Sequence, residues 1–180
     1  MIFVTSDLHF CHNKEFIFKA RGFNTIEEHN TAIIQNWNKT VSDDDTVYVL
    51  GDIMLMDNVA GRKCWNQLRG HKIIILGNHD SSVRAEMYKD FPNTEVAGYS
   101  TIVRIGGWNW YLSHFPTITG NWGDNERPAS KRLWNLCGHS HCTDPFADWD
   151  KGLIYHVEMD AHNCTPISID EIKQQILAKI

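Results

Sequence analysis

The chain has no long apolar run, no excess of basic residues and few cysteines. No stretch approaches the ~20 apolar residues that a membrane-spanning helix needs. Lys and Arg number 17 against 22 Asp and Glu, and the formal charge of −5 argues against a general nucleic-acid or anionic-membrane binder. A strand-like segment, Ile2 to Thr5, follows Met1 without a basic or apolar leader. We therefore expect no secretory signal and a cytoplasmic location.

The cysteines are odd in number and show no C-x-x-C spacing. They are Cys11, Cys64, Cys137, Cys142 and Cys164. This pattern argues against a disulfide framework and against a thiolate zinc site, and it is typical of free thiols in a reducing compartment.

The length of 180 residues predicts one domain, residues 1–180, with a substantial core. Apolar residues at 42% and charged residues at 22% are those of a globular protein, so no disulfide or metal is needed to explain folding as such. The sequence shows no internal repeat, low-complexity segment or interdomain linker.

Short apolar strands alternate with amphipathic helices in the first half of the chain, which predicts a parallel sheet. The strands are Ile2 to Ser6, Thr46 to Leu50 and Lys72 to Leu76. The helices are one opened by the capping pair Thr25 and Glu28 and running to Lys39, one from Asp57 to Arg69, and one from Ser82 to Asp90.

The second half predicts another, largely antiparallel sheet. Glu95 to Ile105 and Trp108 to Leu112 alternate in polarity and flank Gly106-Gly107, which is a hairpin signal. A long loop, Thr117 to Ser130, precedes the remaining elements. These are strands Leu133 to Cys137 and Leu153 to Met159 and a helix from the Ser168 and Glu171 capping pair to about Ala178.

Ligand-type residues follow the strands of both halves. The blocks are Asp7-x-His9, Gly51-Asp52, Gly77-Asn78-His79-Asp80, Ser113-His114 and Gly138-His139-x-His141. One such block is an ordinary polar turn, but five at strand ends predict a common site, since ligands bind at the carboxyl ends of strands in open α/β sheets. Imidazole, carboxylate and amide donors suit a borderline divalent metal, and their number suits two ions.

These blocks, in this order from Asp7 to His141, resemble the calcineurin-like metallophosphoesterases, and Asp7 to Asn13 resembles the DLHF-x-H-x-N start of compact bacterial and phage members. The resemblance implies an α/β fold, an αββα sandwich of two mixed β-sheets flanked by helices. It makes Asp7, His9 and His141 the ligands of one metal. It makes Asn78, His114 and His139 the ligands of the other, with Asp52 bridging the pair.

The resemblance also makes His79 the catalytic imidazole, with Asp80 behind it orienting its ring. The two divalent ions would hold a hydroxide between them that attacks phosphorus in line. Manganese is our first choice of metal, with iron, zinc, cobalt and nickel as alternatives. We expect a phosphodiesterase; the alternatives are a phosphomonoesterase acting on a nucleotide or other small substrate and a non-catalytic metal-binding scaffold.

Three residues are candidate substrate ligands. Asn78 lies within the central block, and His12 lies where it could reach the substrate, although a plain loop histidine explains it as well. Arg127 could clamp a phosphate from the long loop, although solvated surface charge also accounts for it. The expected partner is a phosphate ester, nucleic acid included as a substrate, with no membrane partner; a homodimer is compatible with the sequence.

Overall fold

The computed structural model describes residues 1–120 and 126–180. No helix within these ranges combines the length and hydropathy needed to cross a bilayer. The elements in chain order are β1 Ile2–Thr5, α1 Glu15–Phe18, α2 Ile26–Thr40, β2 Thr46–Leu50, α3 Asn58–Trp65, β3 His71–Ile75, α4 Ser82–Tyr88, β4 Thr94–Gly98, β5 Ser100–Ile105, β6 Trp108–Ser113, β7 Leu133–Cys137, β8 Ile154–His156, β9 Ile167–Ser168 and α5 Ile169–Lys179.

The strands form two mixed sheets. The first has the order β4-β3-β2-β1-β9, in which β1 to β4 are parallel and β9 runs antiparallel to β1. The second has the order β5-β6-β7-β8, in which β5 and β6 form an antiparallel hairpin and the other neighbours are parallel. Two mixed sheets flanked by helices are the predicted αββα architecture, so the predicted fold class is confirmed.

The alternation of side chains along each strand divides the core into two clusters. Phe3 of β1 and Ile74 of β3 join a buried cluster with α2, α3 and α4. Their neighbours Val4 and Ile75 join a second cluster, which contains the inward side chains of the second sheet and Ile172 of α5. A slip of one residue would exchange these faces, so burial on both sides holds the strand ends in register.

Two parts of the predicted topology are wrong. The segment Glu95 to Ile105 is two strands rather than one, because the chain leaves the first sheet after Gly98 and enters the second at Ser100. The second sheet is also less antiparallel than predicted, because the long connection after β6 brings β7 back alongside it in parallel.

Several local predictions are confirmed. The hairpin at Gly106-Gly107 joins β5 and β6, with Ile105 paired to Trp108. The Thr25 and Ser168 side chains cap α2 and α5 by accepting hydrogen bonds from the main chain three residues on. Helix α3 is shorter than predicted, ending at Trp65, and the short elements α1 and β9 had no clear pattern in the sequence.

Candidate metal centre

Main-chain hydrogen bonds gather the predicted loops at one edge of the sandwich. Asp7 N donates to Gly51 O at 3.0 Å, and Gly138 N donates to His114 O at 3.0 Å. His139 N donates to Asp7 Oδ2 at 2.9 Å, which joins a loop of the second sheet to a loop of the first. The convergence that the strand ends predict is therefore present in the structure.

Most of the candidate ligands have a left-handed backbone, which non-glycine residues rarely adopt. The φ angles are 57° at Asp7, 50° at His9, 54° at Asp52, 73° at His139 and 51° at His141. Strained conformations of this kind persist where the surrounding structure imposes them, and they concentrate at functional sites. Their concentration in these loops indicates that the fold holds the five side chains in one required arrangement.

Glycines allow the loops to approach this closely. A Cβ atom at Gly51 would lie 2.5 Å from Gly77 N and 2.8 Å from His114 Nδ1. A Cβ atom at Gly138 would overlap Ser6 Oγ and Asp7 Oδ2. Gly51 and Gly138 are therefore required because a larger residue at either position would clash with the neighbouring loops and candidate ligands.

We expect Gly138→Ala to destabilise the protein by about 1–3 kcal/mol, the usual effect of overpacking a filled site. The added methyl group must displace the buried side chains of Ser6 and Asp7. Gly120→Ala is the matched control, because a Cβ atom there has no neighbour within 4 Å among residues 1–120 and 126–180. Thermal unfolding of the two variants measures the difference, and equal melting temperatures would contradict the close approach.

The first donor cluster consists of Asp7, His9 and His141. His9 Nε2 lies 3.7 Å and His141 Nε2 lies 3.8 Å from Asp7 Oδ1. Asp7 Oδ1 and His9 Nε2 are both buried, and neither has a hydrogen-bond partner among the described residues. Buried polar atoms left in this way are unfavourable. A divalent cation among these oxygen and nitrogen donors would satisfy them, so the residues fit a metal.

The second donor cluster lies on the other side of Asp52. Asp52 Oδ2 is 3.8 Å from His9 Nε2 and 3.5 Å from His114 Nε2, so one oxygen faces both clusters. Asn78 Oδ1 lies 2.8 Å from His114 Nε2 and 2.9 Å from His139 Nδ1. The structure thus brings every residue of the predicted ligand set into one place.

The two carboxylates of the site have opposite pKa shifts. Burial opposes ionisation of Asp7, but attraction to His9, His114 and His141 lowers its pKa to about 2. Burial raises the pKa of Asp52, and the negative charge of Asp7 adds to that effect. Ionisation of Asp52 is therefore unfavourable without a neighbouring cation. A metal ion in either donor cluster would supply that positive charge.

In His114 and His141, one ring nitrogen contacts an oxygen outside the donor clusters and the other faces the site. His114 Nδ1 donates to Leu50 O at 2.8 Å, and its Nε2 faces Asn78 Oδ1 and Asp52 Oδ2. The Nδ1 atom of His141 lies 2.9 Å from Asp160 Oδ2. Partners of this kind fix the orientation and tautomer of metal-binding histidines.

Asp160 and Arg21 are functional candidates that the sequence analysis missed. Arg21 Nε donates to Asp160 Oδ1 at 3.0 Å and its Nη2 donates to Oδ2 at 2.7 Å, while Nη2 also reaches Asp7 O at 2.8 Å. Burial opposes ionisation of Asp160, but His141 and Arg21 hold its pKa below the usual value. Asp160 directly follows the segment Leu153 to Met159, which the sequence predicts as a strand, and this is a signal that could have identified it. Arg21 lies in a turn with no distinguishing pattern.

We expect Asp160→Asn to weaken metal binding about 10–100-fold, the usual effect of removing the partner of a ligating histidine. The reason is that His141 loses the carboxylate that orients its ring. Calorimetric titration with manganese measures the change. Asp170→Asn removes an exposed carboxylate paired with Lys173 and serves as the control; equal affinity in both variants would contradict the positioning role.

Asp80 does not lie behind the His79 ring, so that part of the prediction is corrected. Asp80 Oδ2 accepts hydrogen bonds at 2.8 Å from Asp52 N and from Gly77 N, and its Oδ1 accepts one at 2.7 Å from Tyr88 Oη. The carboxylate satisfies the main chain of two converging loops and is not available to the imidazole. Asp80 therefore positions the loops that carry Asp52 and His79.

His79 and His12 lie on the outer side of the site. The His79 side chain is 44% exposed, and its Nε2 lies 3.9 Å from Asp52 Oδ2. The His12 ring stacks on His9 at 5.1 Å, with 3.0 Å between their Nδ1 atoms. Arg127 is exposed, and part of the loop from Thr117 to Ser130 lies outside the described residues; a phosphate-binding role for Arg127 stays a prediction.

Comparison with known proteins finds relatives along nearly the whole chain. The uncharacterized protein MJ1445 of Methanocaldococcus jannaschii is 30% identical over 181 residues, 97% of this chain and 90% of the relative. The gene 66 protein of Mycobacterium phage L5 is 30% identical over 162 residues, 76% of this chain and 75% of the relative. No family model matches the chain.

A solved structure has the same fold. The protein of unknown function AQ665 from Aquifex aeolicus superposes with a TM-score of 0.71 at 26% identity, covering 97% of this chain and 98% of that one. A novel archaeal phosphodiesterase and YfcE, a phosphoesterase from E. coli, reach TM-scores of 0.49 and 0.48 at 17% and 15% identity, over 87% of this chain and 81% and 77% of theirs. Structural similarity at these TM-scores does not identify the activity of this chain.

The sequence identity to its relatives shows that this chain belongs to the protein family that includes MJ1445 of Methanocaldococcus jannaschii and the gene 66 protein of Mycobacterium phage L5.

Proposed function

We propose that this protein is a phosphoesterase that works with two divalent metal ions and acts on phosphodiesters. The observation that carries the proposal is the place of Asp52, whose Oδ2 faces His9 of one donor cluster and His114 of the other. Asp7 Oδ1, which is buried without a hydrogen-bond partner in the part of the chain that the structure describes, supports it. So does the resemblance of the five ordered motifs to the calcineurin-like metallophosphoesterases.

The donor clusters divide the ligands between two ions. Asp7, His9 and His141 would hold one ion, Asn78, His114 and His139 the other, and Asp52 would serve both. When bound, such ions supply positive charge for the phosphoryl oxygens and make a water molecule more acidic. The nitrogen and oxygen donors suit manganese, our first choice, as well as iron, zinc, cobalt and nickel.

His79 is placed to act on the substrate from the solvent side. Its ring is partly exposed, whereas its main-chain N–H donates to Asp52 Oδ1 at 2.9 Å and anchors the residue to the site. Arg84 Nη1 donates to His79 O at 2.7 Å and fixes the same segment from outside. An imidazole held in this way can stabilise a phosphoryl oxygen or deliver a proton to the leaving oxygen.

We infer a diester rather than a monoester from the resemblance to the compact bacterial and phage metallophosphoesterases. Burial, with repulsion from the His9 and His79 imidazoles, lowers the pKa of His12 to about 4, so its ring is neutral at pH 7. A neutral imidazole beside His79 is compatible with the single negative charge of a phosphodiester. Nucleic acids belong to this substrate class, and Asn78, exposed at the rim, is a further candidate for contact with the phosphate.

The proposal is tested with protein loaded in turn with each of the candidate metals. We expect a higher kcat/KM on bis-p-nitrophenyl phosphate than on p-nitrophenyl phosphate. The reverse order would make the protein a phosphomonoesterase. Full metal loading without turnover of either ester, or of a nucleic-acid panel, would overturn the proposal in favour of a metal-binding scaffold.

A further inference from the structure

We propose that Cys142, His156 and Glu158 form a separate binding site for a zinc-like divalent ion, which fastens the base of the Gly138 to His141 loop. Cys142 directly follows this loop, and His156 and Glu158 lie at the end of β8 and just beyond it. None of the three belongs to the ligand set of the metal centre. The site does not depend on the proposed phosphoesterase activity.

The geometry brings three different donor types together. One donor atom from each residue, the Cys142 sulfur, a His156 ring nitrogen and a Glu158 carboxylate oxygen, lies within 4.8 Å of the other two. His156 and Glu158 are fully buried, with no exposed surface. Donors that converge this closely in the interior can enclose one ion without large rearrangement.

The second observation is a buried carboxylate oxygen without a partner. Glu158 Oε1 accepts from Cys142 N at 2.9 Å and lies 3.1 Å from His156 Nδ1. Glu158 Oε2 is buried and has no hydrogen-bond partner among the described residues. A buried carboxylate is normally fully hydrogen-bonded or bound to a cation, and a metal ion would complete this one.

His156 is oriented as a metal ligand would be. Its Nε2 lies 3.1 Å from Asp148 Oδ2, which leaves Nδ1 directed at Glu158. A carboxylate behind the imidazole fixes the ring and makes the opposite nitrogen a stronger ligand. The competing explanation is a protonated His156 held between two carboxylates, which needs no metal and no contribution from Cys142.

The donor chemistry favours zinc at this site, whereas manganese is our first choice at the metal centre. A thiolate together with imidazole and carboxylate is a ligand set that zinc accepts, whereas the metal centre offers only nitrogen and oxygen donors. Cys137 Sγ lies 3.9 Å from His156 Nδ1, at the edge of the site, and is not part of the proposed ligand set. The cysteine spacing had argued against a thiolate zinc site, but the fold brings Cys142 to His156 and Glu158, which lie on another segment.

Cobalt titration of the whole protein tests the site under reducing conditions. Thiolate-bound cobalt gives a charge-transfer band in the near ultraviolet, and the nitrogen and oxygen ligands of the metal centre do not produce it. We expect the wild-type protein to develop this band, and zinc to abolish it. Cys142→Ser should remove the band and about one equivalent of bound cobalt per chain.

Two controls separate this site from others. Cys64→Ser changes a partly buried thiol elsewhere and should keep the band. Asp52→Asn alters the metal centre and should also keep it, whatever happens to phosphoesterase activity. A wild-type protein without the band at saturating cobalt, or a band that persists in Cys142→Ser, would overturn the proposal and leave the protonated His156 as the explanation.

Discussion

Asp52→Asn is expected to lower turnover about 1,000-fold, because in the proposed mechanism the shared carboxylate would contribute several kcal/mol through both metal ions and each 1.4 kcal/mol is tenfold in rate. The Asp52 Oδ2 atom faces both donor clusters, so loss of its charge weakens both at once. Elemental analysis should show metal loss along with the loss of activity on a phosphodiester. Undiminished metal content would contradict the shared-ligand role.

The melting temperature of the same variant shows whether its loss of activity comes from unfolding. Burial and the charge of Asp7 raise the pKa of Asp52 in the metal-free protein. At neutral pH, the ionised carboxylate therefore destabilises the folded state relative to the unfolded chain. Asparagine removes that charge and keeps an oxygen for the His79 N–H. We therefore expect a metal-free melting temperature equal to or above that of the wild type. Asp44→Asn, the same change at an exposed position, should leave metal content and turnover unaltered.

His79→Ala is expected to retain metal while turnover falls about 100- to 10,000-fold, the range that positioned acid–base groups contribute. Metal is retained because the contact with Asp52 Oδ1 comes from the His79 main chain, which alanine keeps. The imidazole is the part that reaches solvent and, in the proposed function, the substrate. Wild-type turnover in this variant would remove His79 from the catalytic machinery.

The leaving group distinguishes the two roles open to His79. If the imidazole protonates the leaving oxygen, the deficit of His79→Ala should shrink for p-nitrophenyl esters, whose leaving group needs little protonation, and grow for alkyl esters. If it only stabilises the phosphoryl oxygens, the deficit should be similar for both. His71→Ala is the matched control, because His71 begins the strand that precedes His79 and its partly exposed ring lies 3.1 Å from a Glu95 carboxylate oxygen.

The strand ends show what local pattern can predict. Asp7, Asp52, Asn78 and His139 were identified because each follows a short apolar strand and a turn, and both features are encoded within a few residues. Parallel pairing then requires these ends to share an edge. The roles assigned to them depend on the family resemblance, and metal loading has to test those roles.

Other parts of the site had no local signal. The family resemblance places Asp80 behind His79, yet its carboxylate lies against the main chain of Asp52 and the Tyr88 hydroxyl. Arg21 and Asp160 are 139 positions apart, and only the packed fold brings the guanidinium between Asp7 O and the carboxylate that orients His141.

The sequence by itself determined the strands, the helix caps, the order of the polar motifs and the residues gathered at the candidate centre, because side-chain alternation, capping and turn formation act between near neighbours. Tertiary structure alone decided which sheet β4 and β5 each joined, which oxygen atoms were left without partners, and which carboxylates fix the imidazoles. These features arise when two sheets pack and distant loops compete for the same hydrogen bonds, and no short stretch of sequence specifies the outcome of that competition.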